Sequence, residues 1–141
     1  MKPKVVLDTN IFIAALRSQL GASFKLLSLI GDDKFDLYIS VPLILEYEDV
    51  AKRQARQIGL TFDDIDDILN YICQMSHHQP IFFLWRPFLK DPKDDHVLEV
   101  AVEGGCNYII TFNTQDFTGV EQFGLKTIGP KAFLQLIGEV K

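Results

Sequence analysis

The chain has 141 residues, 48% hydrophobic and 23% charged, with a net charge of −5. That length suits one domain, residues 1–141, with a buried core, and the balance excludes both a disordered chain and a membrane protein. The acid excess argues against a general nucleic-acid coat, which works by neutralising phosphates, but leaves room for a nuclease whose acids are offset by bound cations.

Residues 4–7 are a β-branched run ending at Asp8, the pattern of a central strand buried on both faces. Thr9 or Asn10 can cap a helix from near Ile11 to before Gly21, and a second helix is expected from Ala22 to Ile30. Residues 36–40 read as a strand, and Pro42 suits the first turn of a helix running to about Ile58 and closed by Gly59. Thr61 can cap the next helix, which buries Ile65, Ile68, Leu69 and Ile72. A strand is expected over 81–85, between Pro80 and Pro87, with His77 and His78 as surface or turn residues before it. Val97, Leu98, Ala101 and Val102 recur at helical spacing before Gly104 and Gly105. Strands over 108–112 and 125–128 and a helix from about Pro130 to Ile137 complete the chain. The alternation predicts an α/β three-layer sandwich with a central parallel sheet of about five strands.

No apolar run is long enough to span a membrane and no signal peptide precedes the first strand, so a cytoplasmic location is expected. Cys73 and Cys106 stand alone, which disfavours zinc and thioredoxin-type chemistry and suits buried thiols.

Acids recur at strand exits and helix starts. In a parallel sheet a ligand site lies beyond the carboxyl ends of the strands, where the strand order reverses, and Asp8 and the segment TFNTQDF fall there. Asp8 can serve as a cap, but Thr9 and Asn10 can cap without it, which moves its weight to a ligand role. Glu46, early in the third helix, is set among apolar neighbours, whereas Glu48 and Asp49 are expected to be solvated. Asp94 and Asp95 begin a helix, where one of them can simply stabilise the macrodipole. Glu99 shares the face of Asp95, one turn on, and is more simply a surface acid. Asn113 and Asp116 follow a strand ending at Thr111 and Phe112, either as a turn or as part of the site. Three or four carboxylates in one crevice repel unless cations bind or some hold protons. An oxygen-only set suits Mg²⁺ or Mn²⁺, and two such ions about 3.5–4 Å apart could hold the attacking and leaving oxygens of a phosphodiester in line. No serine, cysteine or histidine constellation competes, so water is the expected nucleophile; His96 is expected to point away from Asp95. Arg53, two turns after Glu46, is a candidate phosphate contact; Arg17, Lys25, Lys90 and Lys93 are weaker ones.

These segments, VVLDTNIFI, LILEYEDV, DPKDDHVLEVAVEGGCNYIIT and TFNTQDF, resemble the PIN (PilT N-terminus) domain ribonucleases over essentially the whole chain. Within that family the chain looks most like the stand-alone VapC-type toxins of toxin and antitoxin pairs. The resemblance implies a Mg²⁺- or Mn²⁺-dependent endoribonuclease, often a homodimer, held inactive by an antitoxin protein. It matches Asp8 to the first family acid, Glu46 to the second and Asp95 to the third, with Asp94 close behind. At the fourth position, where many members have Asp, this chain has Asn113, so Asp116 supplies the charge or Asn113 is a neutral ligand. Asp8, Glu46, Asp95 and Asp116 are thus the expected catalytic residues, with Asp94 and Asn113 as further metal ligands. Thr9, Asn10, Arg53 and Thr111 are expected to contact substrate.

Other readings are a noncatalytic RNA-binding or interaction module on the same fold, or a general RNA-processing nuclease. A haloacid dehalogenase-type phosphatase needs a second acid where Asn10 stands. A receiver domain needs a lysine at a later strand end, and none follows YIITF.

Overall fold

A computed structural model describes residues 2–81, 89 and 91–141, without the side chains of residues 92 and 93. The rest of the strand expected over 81–85, Lys90 and the Lys93 side chain lie outside the described residues.

The chain opens with strand β1 (Lys4–Leu7), then helices α1 (Thr9–Arg17) and α2 (Ala22–Ser28), and strand β2 (Asp36–Ile39). Helices α3 (Val41–Arg53), α4 (Ala55–Ile58) and α5 (Phe62–Met75) lead to a two-residue strand β3 (His77–His78). Helix α6 (Pro92–Glu103), strand β4 (Tyr108–Ile110), two 3₁₀ turns (Thr114–Phe117 and Val120–Phe123), strand β5 (Lys126–Ile128) and helix α7 (Pro130–Leu136) follow. All strand pairs are parallel, in the order β3-β2-β1-β4-β5. Successive residues of β1 face opposite sides of the sheet, and Val5, Val6 and Leu7 are all buried, so helices cover both faces. This is the α/β sandwich that the alternation of elements predicts.

Local chemistry explains most boundaries. Thr61 and Asp64 form a reciprocal capping box at the start of α5, and Ser40 caps α3 by accepting from the Leu43 N–H at 3.2 Å. Gly59 ends α4 at φ +86°, where a side chain would be strained. The helix expected to reach Ile58 without interruption breaks at Gln54, whose N–H is shared between the Val50 and Ala51 carbonyls. His77 and His78 are exposed, yet they form an edge strand on Tyr38 and Ile39, with the His77 ring stacked on Tyr38 at 4.9 Å. Cys106 is buried and Cys73 only partly so, and both are free thiols.

The sheet order reverses at β1, which pairs with β2 on one side and β4 on the other. Chain leaving β1 and β4 at their carboxyl ends therefore splays to opposite sides of one crevice.

Candidate active site

Asp8 sits at that reversal. It is 7% exposed, and each carboxylate oxygen has a partner: the Thr9 N–H donates to Oδ1 at 2.8 Å and the Thr111 hydroxyl donates to Oδ2 at 2.7 Å. Asp8 therefore is the cap of α1, which begins at Thr9, two residues earlier than expected. Capping occupies one oxygen and leaves the group at the crevice wall. Thr111 in turn accepts the Asn113 N–H at 3.0 Å, so one buried hydroxyl ties the ends of β1 and β4 together.

Glu46 enters from the second turn of α3. The Thr9 hydroxyl donates to its Oε2 at 2.6 Å, which makes Thr9 a bracket between the two acids. One residue on, Tyr47 is fully buried, stacks on Phe12 at 4.9 Å, and donates to the Leu7 carbonyl. Burial, then the charges of Asp8 and Glu46, hold its phenol well above the usual range, so it stays a neutral donor that fixes the backbone just before Asp8. His96, the residue after Asp95 on α6, comes within 3.9 Å of Glu46.

Asp94 and Asp95, both expected to contribute to the site, lie in different surroundings. Asp95 is 0% exposed, its Oδ1 accepts the Leu89 N–H at 3.0 Å, and it is not among the residues that line the crevice. Asp94 lines it instead. Consecutive helical residues differ by about 100° in direction, so only one of the pair can face the other acids. Glu99, expected at the surface, is buried one turn beyond Asp95 and is likewise absent from the crevice lining.

The 3₁₀ turn after β4 brings Asn113 and Asp116 to the opposite lip, both exposed. The crevice of about 530 Å³ is thus lined by Asp8, Glu46, Asp94 and Asp116 with Thr9, Asn10 and Asn113, and also by Asp91, Arg17, Gln54 and Phe112. Asp91 is a lining residue not expected from the sequence, although it precedes Asp94 by three residues, the spacing that puts two groups on one side of a turn. Phe112 and Gln54 carried no signal of their own. Arg53 is not among the lining residues; it lies in a neighbouring groove beside Glu46, and its guanidinium is paired with Asp49 at 2.8 Å.

Burial pushes the Asp94 carboxyl up to about 7, helped by the charges of Asp8, Asp91, Asp116 and Glu46. Asp8 is raised too, by burial above all and then by Glu46 and Asp116, against its two hydrogen bonds. At neutral pH the cluster holds its full charge only at a cost, which a cation would relieve.

The family model for the PIN domain matches residues 4–115. The chain belongs to the PIN-domain family. Among solved structures, this PIN domain is similar in fold to VapBC2 from Rickettsia felis, crystallised bound to a DNA fragment from its promoter. The TM-score is 0.61 and the identity 11%, over 89% of this chain and 98% of that one. No curated protein sequence matches it.

The donors that line the PIN crevice are carboxylate, amide and hydroxyl oxygens, a set that fits a hard cation and not a thiophilic one. Among the described residues no three histidine, cysteine, aspartate or glutamate side chains are already gathered as a metal site. No described helix is long and apolar enough to cross a membrane.

Proposed function

We propose that this PIN domain is a divalent-metal-dependent endoribonuclease, the toxin of a toxin and antitoxin pair, acting in the cytoplasm. The observation that carries the reading is the convergence of Asp8, Glu46, Asp94 and Asp116 on one crevice, with Asp94 held near 7 by burial and by the other acids. Those four would hold Mg²⁺ or Mn²⁺, with Asn113 and Asp91 beside them. The cation would stabilise charge developing on the phosphoryl oxygens and make water a better nucleophile.

The chain's own groups have separate tasks. Thr9 and Thr111 donate to Glu46 and Asp8 and so aim carboxylate oxygens at the crevice. Tyr47 fixes the peptide leading into Asp8. Arg17, at the rim and donating to Gln54, offers a guanidinium to a flanking phosphate. An antitoxin as partner is in keeping with a PIN fold like that of VapBC2; a homodimer is part of the same reading.

A second reading, a noncatalytic module on the PIN fold, is favoured by one observation: neutral Asn113 lines the crevice at the position where many members of the family carry an acid. Incubation of the purified protein with end-labelled single-stranded RNA separates the two. The enzyme reading expects internal cleavage with Mn²⁺ or Mg²⁺ and none in EDTA. It also expects a fall of about 100-fold or more in Asp8→Asn, with circular dichroism unchanged. Equal cleavage by Asp8→Asn and the parent would remove this crevice from the chemistry.

A further inference from the structure

We propose that Phe112 is the platform on which a nucleobase flanking the scissile phosphate of single-stranded RNA stacks. The proposal rests on the ribonuclease reading and adds a substrate-positioning role for a residue outside the acid set. Ile109, Ile110 and Thr111 are 0% exposed, but Phe112, the next residue, is 52% exposed. Several large apolar side chains are exposed, and among the described ones only Phe112 lines the acid crevice. The backbone on both sides of the ring is tied to the site. Thr111 donates to Asp8 and accepts the Asn113 N–H, so the ring is held in register with the carboxylates.

Charge explains why such a surface is needed. The described lining holds five carboxylates (Asp8, Glu46, Asp91, Asp94 and Asp116) against one cation, Arg17, in a chain of net charge −5. Among the described lining residues, neutralisation of phosphates by basic side chains, the usual source of affinity for nucleic acid, therefore falls to Arg17 alone. Stacking on an aromatic face is indifferent to phosphate charge and is available to any base whose face is free. Bases in a duplex already cover one another, so the ring selects unpaired RNA.

The test uses single-stranded oligoribonucleotides carrying 2-aminopurine at successive positions, with a duplex of the same sequence as control. Stacking is read in Ca²⁺ as fluorescence quenching, and cleavage in Mn²⁺ as separate KM and kcat values. Phe112→Ala is expected to abolish quenching at the position flanking the cut and to raise KM roughly tenfold with little change in kcat. Phe112→Trp is expected to keep both properties. Phe112→Leu, apolar but without a ring face, is expected to behave like Phe112→Ala.

If Phe112→Ala matches the parent in quenching and KM, or if Phe112→Leu restores them, stacking is overturned while the ribonuclease reading stands; the ring is then left for a protein partner. If the parent neither binds nor cleaves RNA, both fall. If Phe112→Ala loses its fold, the exposed position from which the proposal starts is contradicted.

Discussion

Asp94 and Asp95 are neighbours in the first turn of α6, and a rotation of about 100° between them gives their carboxylates different work. Asp95 closes the approach to the helix through the Leu89 N–H; Asp94 meets the charge of the other acids. Asp95→Ala strips a buried N–H of its acceptor, so urea unfolding should show a loss of about 1–3 kcal/mol. Asp94→Asn removes a like charge from a crowded crevice, and in EDTA at pH 8 its unfolding midpoint should equal or exceed the parent's. Thr111 gives a further check at this scale. Thr111→Val leaves a buried oxygen of Asp8 without its donor and should cost about 1–3 kcal/mol in the same assay, whereas Thr111→Ser should recover most of it.

Elements with a local chemical signature were legible in the sequence. Thr61 three residues before Asp64 signals a capping box, and Thr61→Ala should lower stability by about 1 kcal/mol, read as a drop in Tm. The apolar run ending at Asp8 marks a strand exit on its own. What was not legible depends on partners distant in sequence. The break at Gln54 is a shared carbonyl pair with no composition signal, and His77 and His78 become a strand only because Tyr38 and Ile39 lie beside them. The choice between Asp94 and Asp95 needs the phase of α6, and a single residue of error in phase reverses it. That Asp8 is the cap is not legible in the sequence, because Thr9 and Asn10 are equally good capping residues by type; it is the position of β1 that decides.

For the whole molecule, the crowded acids tie stability to pH. The Asp94 carboxyl titrates near 3.8 when unfolded and at about 7 when folded, so between those values the folded chain holds the extra proton. The stabilising contribution is full below about 3.8 and is lost as pH rises through about 7. Asp8, raised in the same direction, adds to the trend. In EDTA, Tm should therefore fall between pH 5 and pH 8. Saturating Mn²⁺ should reverse that fall, since a cation binds the ionised crevice, and Asp94→Asn should flatten the profile measured in EDTA. The acid balance of the chain has its own consequence. With Arg17 the one cation among the described crevice residues, RNA affinity should weaken only slightly between low and moderate salt, unlike that of a basic nucleic-acid binder.

In the reading proposed above, Asp8, Glu46, Asp94 and Asp116 share a divalent cation. Its most direct test is Mn²⁺ binding, followed by electron paramagnetic resonance at pH 7.5 on the parent and on Asp8→Asn, Glu46→Gln, Asp94→Asn, Asp116→Asn and Asp95→Ala. The parent is expected to bind Mn²⁺, each of the four crevice variants to lose roughly tenfold or more in affinity, and Asp95→Ala to keep it. A parent that leaves Mn²⁺ free in solution, or binding that survives at Asp94→Asn and vanishes at Asp95→Ala, would contradict it.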